Sequence, residues 1–167
     1  MKAAVLETIP GELVVDELDI RRPTGREVLI QTAASGLCHS DLHFIEGLYP
    51  SPVPVVLGHE CAGIVDAIGP DVTDVAPGDH VITCISGFCG ACEACMRGRQ
   101  HLCDKVALQP DPTMPRLTRR GKEVTQFFGL GGFSETLLVH ERYVVKIRDD
   151  MPLDRAALLA CGLTTGL

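Results

Sequence analysis

Four cysteines, Cys89, Cys92, Cys95 and Cys103, stand in the spacing C-x2-C-x2-C-x7-C. Thiolates so spaced can meet tetrahedrally around one ion at about 2.3 Å, and zinc is the ion that such a set selects. Gly87, Gly90 and Gly98 surround them and permit the tight turns this convergence needs. The competing readings are a redox Cys-x-x-Cys pair or disulfides, but three cysteines in series leave a redox pair with a surplus thiol. Four thiolates around Zn2+ leave net negative charge and fill every position. Such a site neither polarises nor admits a substrate, so its role is structural. Residues 87–103 contain few large apolar side chains, and metal binding should supply much of that lobe's folding free energy.

The other cysteines are Cys38, Cys61, Cys84 and Cys161. Any one alone reads as a small buried core residue. Context separates two of them: Cys38 opens Cys38-His39-Ser40-Asp41-Leu42-His43, and Cys161 precedes a glycine. His59 lies in Gly58-His59-Glu60. Two thiolates and a neutral imidazole around zinc would sum to zero charge and leave a fourth position open for Lewis-acid chemistry. Separation in the sequence does not itself join these three.

The elements that must carry these groups are mostly strands. Short β-branched or Leu-rich runs at 2–6, 12–15, 28–32, 62–65, 80–82 and 136–139 alternate with Pro-Gly and Gly-Pro-Asp turns, which suggests a partly open β-barrel. Residues 39–47 fit a short helix closed by Gly47, and 153–163 a second, with Asp154 near its start. Residues three apart share a helix face, so Ser40 and His43 should project to one side. The stretch 104–122 has three prolines and little periodicity and reads as a long loop.

The chain's 167 residues suffice for one domain, since chains of this size bury roughly 70% of their unfolded surface. A net charge of −7 without a basic run argues against nucleic acid, and Arg119, Arg120 and Lys122 read as a solvated loop. No apolar stretch approaches the ~18 residues of a membrane span and residues 1–10 lack a long apolar core, so we expect a cytoplasmic protein with no membrane partner. The apolar run 156–167 continues to the last residue, and we expect a fragment of a longer chain.

Gly58-His59-Glu60 followed by Ala62-Gly63-Ile64-Val65 and Ile68-Gly69, then Pro77-Gly78-Asp79-His80-Val81, then the four-cysteine lobe, resembles the zinc-dependent medium-chain alcohol dehydrogenases. Cys38-His39-Ser40-Asp41 and Cys161-Gly162-Leu163-Thr164-Thr165-Gly166 match in order and spacing, so the resemblance covers the whole chain. It implies a mainly β, GroES-like catalytic domain over 1–167, including the zinc lobe 87–103, coupled in the family to a Rossmann domain that binds NAD or NADP.

By this resemblance Cys38, His59 and Cys161 ligate a catalytic zinc, giving two zinc ions per chain. Glu60 sits behind that metal, and Asp41 accepts the free ring N–H of His59. Ser40 takes the proton of the alcohol and passes it, through the cofactor ribose, to His43. His39 faces the cofactor pyrophosphate. Ser40, Tyr49, Ile85, Phe127 and Phe128 line a pocket for a small alcohol or aldehyde. A homodimer or homotetramer is expected of the full-length protein.

Phe128-Gly129-Leu130-Gly131-Gly132-Phe133 lacks the G-x-G-x-x-G spacing and joins no strand to a helix, so this chain holds no dinucleotide fingerprint and no Rossmann domain. Two alternatives stand beside alcohol oxidation. Oxidation of a thiol adduct of formaldehyde would need cationic partners in the pocket. A zinc-stabilised binding module without chemistry would hold one metal per chain rather than two.

Overall fold

The computed structural model describes residues 1–104 and 108–167. Its strands are β1 Lys2–Leu6, β2 Leu13–Glu17, β3 Asp19–Ile20, β4 Glu27–Gly36, β5 Val55–Val56, β6 Glu60–Ile68, β7 His80–Thr83, β8 Leu117–Arg119, β9 Lys122–Glu123, β10 Thr125–Gln126, β11 Thr136–His140 and β12 Val144–Lys146. Every stretch read as a strand is one. Five strands form an antiparallel sheet in the order β11-β4-β6-β7-β12, and four form a second in the order β10-β5-β1-β2. The long β4–β6 pairing breaks register between Leu29 and Ile30 and between Thr32 and Ala34. Extra residues at such breaks sharpen the local twist, and the sheet curls into a partly open barrel. A bridge from Ala3 to Ser134 ties the two sheets together.

Val28, Ile30, Cys61, Val65, Val81, Leu137, Val139 and Tyr143 fill the curl and are almost fully buried. Side chains of this kind each contribute about 1.5–3 kcal/mol when removed from water. On another face, Ala62 packs with Ala156 and Ala157, so the C-terminal segment can approach β6 closely. Among the described residues no helix is long and apolar enough to cross a membrane.

Three expectations are corrected. Residues 153–163 are not one helix: α3 Leu153–Ala156 (α1 and α2 precede it, below) runs into a 3-10 turn Ala157–Ala160, and α4 is Gly162–Gly166. The break falls at Cys161, whose φ of −142° and ψ of −63° lie outside the helical region. The proposed loop 104–122 lies partly outside the described residues, and its end is β8, paired with both β3 and β9.

Nor is the basic trio simply solvated. Arg119 pairs with Glu7 and, at 3.1 Å, with Asp16, clamping the β8–β9 hairpin to β2 and to the residue that follows β1. A second clamp is buried. Glu27 accepts from Arg116 Nε at 2.8 Å, from Arg21 Nη2 at 2.8 Å and from the Thr24 N–H at 3.0 Å. Burial works to raise the Glu27 pKa, but the hydrogen bonds from Arg21, Arg116 and Thr24 prevail and bring it to about 2.

Candidate metal centre

β4 ends at Gly36, and Cys38 caps helix α1, His39–Ile45, in an extended conformation. Asp41, in the first turn and 3% exposed, accepts the Cys38 N–H on Oδ2 at 3.1 Å and the Gly58 N–H on Oδ1 at 3.1 Å. One carboxylate therefore holds both the Cys38 loop and the loop that delivers His59. Gly58 has φ +89°, and a Cβ there would lie 2.5 Å from the Phe133 ring, so this loop accepts only glycine.

His59 and Glu60 follow at the start of β6, 1% and 3% exposed. His59 Nδ1 is 3.4 Å from Asp41 Oδ1 but makes no hydrogen bond. The expected partner of the ring is thus beside it, at a distance longer than an ordinary hydrogen bond. The Glu60 carboxylate lies over Gly36, where a Cβ would come within 2.2 Å of Oε2. Cys161 arrives from the C-terminal segment.

The ligand atoms of Cys38, His59, Glu60 and Cys161 all lie within 4.8 Å of one another. These four groups come from three widely separated segments of the chain. Burial opposes ionisation of the Cys38 thiol, yet hydrogen bonds with Ser40 and His59 bring its pKa below the ordinary thiol range. Burial likewise opposes protonation of His59, yet Asp41 and Cys38 hold its pKa above the ordinary imidazole value. Burial raises the Cys161 pKa, and the nearby Cys38 sulfur adds to the rise. The donors, two sulfurs, a ring nitrogen and a carboxylate in a half-buried to buried cluster, suit a zinc ion, whose positive charge would favour both thiolates and a neutral imidazole ligand.

The other cysteine set is equally compact. Sγ–Sγ separations are 3.5 Å for Cys92–Cys95, 3.8 Å for Cys92–Cys103 and 3.9 Å for Cys89–Cys95. The edge of a tetrahedron with 2.3 Å zinc–sulfur bonds is about 3.8 Å, and these distances far exceed a disulfide. None of the four is in a disulfide. Helix α2, Glu93–Met96, carries Cys95. The N–H groups of Ala91 and Cys92 point at Cys89 Sγ, at 3.4 and 3.2 Å, and lower its pKa to about 7. Burial and the neighbouring thiols push Cys95 up to about 12. Four adjacent sulfurs cannot all ionise without a cation among them.

The aromatic residues form a chain rather than a closed pocket. Tyr49 contacts Phe44 at 5.7 Å, Phe44 contacts Phe127 at 4.6 Å, and Phe127 contacts Phe128 at 4.1 Å. The His59 ring lies 5.8 Å from Phe127 and 6.0 Å from Phe128. Phe127 is buried, while Phe128 is 49% exposed at a φ of +51°. The His43 ring meets His39 edge-on at 4.6 Å and Tyr49 at 5.5 Å. Ser40 Oγ lies 3.6 Å from Cys38 Sγ. Ile85 lines a separate cavity of about 240 Å³ that also holds Thr83 and Cys161.

One residue escapes sequence reasoning. Thr83 is 1% exposed, and its hydroxyl accepts the Cys61 N–H at 3.2 Å and lies 3.3 Å from the His59 carbonyl. Only a polar residue at the end of a strand run could have signalled it.

The chain belongs to the family of the alcohol dehydrogenase GroES-like domain, which matches residues 24–149. Its relatives place it among the zinc-type medium-chain alcohol dehydrogenases. It is 43% identical over 169 residues to the NDMA-dependent alcohol dehydrogenase of Amycolatopsis methanolica, covering 99% of this chain and 46% of that one. To the class-P alcohol dehydrogenase of Arabidopsis thaliana it is 37% identical over 173 residues, with the same coverage. Among solved structures it is similar to the benzyl alcohol dehydrogenase of Acinetobacter calcoaceticus, with a TM-score of 0.87, 36% identity, and coverage of 99% of this chain and 46% of that one. The chain thus spans a little under half the length of the relatives it matches.

Proposed function

We propose that the chain is the catalytic-domain portion, 1–167, of a zinc-dependent, NAD(P)-linked alcohol dehydrogenase interconverting alcohols with aldehydes or ketones. The convergence of Cys38, His59, Glu60 and Cys161 within 4.8 Å carries this reading. Cys38, His59 and Cys161 would hold one zinc, and Cys89, Cys92, Cys95 and Cys103 a structural one. When bound at the first site, zinc supplies Lewis acidity toward an alcohol or carbonyl oxygen.

The chain's own residues do the rest. Asp41 fixes the loops that carry Cys38 and His59, and Glu60 adds a buried negative charge beside them. Phe127 and Phe128 cover one side of the His59 ring and exclude water from it. Ser40, beside Cys38, accepts the proton of the substrate hydroxyl, and His43, at a half-buried position on the same helix, receives it nearer solvent. Tyr49, on the aromatic side, and Ile85, in the separate cavity beside Cys161, are the residues offered to a substrate side chain, and His39 is offered to the cofactor phosphates. The nicotinamide cofactor and its domain would come from outside these residues.

The reading is tested by metal content and by activity. It expects two zinc ions per chain, one of them exchangeable, and alcohol oxidation by the full-length protein but not by residues 1–167 alone. A single tightly held zinc in both forms would contradict it.

A further inference from the structure

We propose that Thr83 is a positioning residue for the Cys38–His59–Cys161 site, setting the backbone that presents His59. The proposal rests on the reading of that site as a zinc centre. The β6–β7 ladder pairs Ile64 with His80, Gly63 with Val81 and Ala62 with Ile82, and goes no further. Beyond it the segment His59-Glu60-Cys61 has no ladder partner on the β7 side.

The Thr83 hydroxyl takes over there. It accepts the Cys61 N–H at 3.2 Å and can donate to the His59 carbonyl at 3.3 Å or the Cys61 carbonyl at 3.5 Å. Thr83 is itself immobilised, because it pairs with Val144 of β12. The hydroxyl is therefore a fixed point rather than a follower.

Two observations make this anchor matter more for the metal site than for the fold at large. His59 Nδ1 lacks a hydrogen bond, so the backbone that carries the ring bears a larger share of its placement. Thr83 also lines the cavity of about 240 Å³ bordered by Cys161, so it adjoins both metal-bearing segments. A buried hydroxyl in this position acts on the site through His59 and touches no substrate. Groups that orient metal ligands in this way typically tune affinity by about 10–100-fold.

The test is zinc affinity of the intact chain, by competition with a chromophoric chelator, for Thr83→Val, Thr83→Ser and Thr32→Val. Valine keeps the shape of threonine and removes the hydroxyl, and serine does the reverse. Thr32 carries a buried hydroxyl without a hydrogen-bond partner and is the control. In Thr83→Val we expect the weaker of two zinc sites to lose about 10–100-fold in affinity, with the four-cysteine site unchanged. Thr83→Ser and Thr32→Val should keep both sites, and the visible bands of Co2+ in the weaker site should shift only in Thr83→Val.

Wild-type affinity in Thr83→Val, equal loss at both sites, or a serine variant as weak as valine would overturn the proposal. A wild-type chain that binds a single zinc would overturn the zinc-centre reading itself and the role of Thr83 with it.

Discussion

Asp41 and Gly58 are joined by a hydrogen bond of 3.1 Å from the Gly58 N–H to Oδ1, and the other carboxylate oxygen is bound to the Cys38 N–H. A single buried anion thus sets the distance between two loops, each carrying a metal-site donor. Asp41→Asn keeps the size but turns an N–H donor toward one of those two amide protons. We expect a stability loss of about 1–3 kcal/mol and a fall of about 10–100-fold in affinity at the exchangeable zinc site. The four-cysteine site should be unaffected. Denaturant titration and metal competition on the same variant check both parts.

The Glu27 clamp predicts an acid limb in the stability curve. Its folded pKa of about 2 lies below the ordinary value of 4.5, so the folded state binds the proton less readily than the unfolded chain. The stabilisation is present above the unfolded value and is lost as pH falls from about 5 toward 2, and amounts to about 3 kcal/mol. Glu27→Gln should be less stable at neutral pH and show a flatter decline in acid. Equal slopes for the two proteins in denaturation series between about pH 6 and pH 3 would contradict it.

Removing metal should affect the molecule unevenly. A chelator is expected to abolish amide protection across residues 87–103 while the curled sheet of β4, β6 and β11 keeps its own, because that sheet has an apolar core and the lobe does not. Hydrogen exchange with and without chelator reads this directly, and unchanged protection in the lobe would remove the structural zinc.

His43→Gln in the full-length protein should slow turnover at neutral pH by up to about 100-fold. Added imidazole buffer should restore part of the rate. An unaltered pH–rate profile would take His43 out of the proton path.

Strands were legible in the sequence because β-branched runs and Pro-Gly punctuation are local signals, and β1, β4, β6, β7 and β11 fall where those runs do. The Cys89–Cys103 cluster was legible for the same reason, its donors being neighbours in the chain. Residues 153–163 misled, since an apolar, Ala-rich stretch carries no mark of the turn at Cys161. Arg116 and Glu27 were invisible because their partnership spans two distant segments that only the curled sheet brings together. Thr83 failed to show for a subtler reason: its hydroxyl substitutes for a ladder bond that is missing, and a missing bond leaves no pattern.

Helix α4 has no buried residue, and its hydrogen bonds are local, with the Thr165 N–H donating to Cys161 and the Thr164 hydroxyl to Leu159. Cys161, at its start, brings it to Cys38 and His59. An ion gripped jointly by Cys38 and Cys161 would lace these distant stretches into a closed ring, as a cross-link does. Occupancy of that site would then be readable as slower amide exchange across residues 162–166, without any substrate being present.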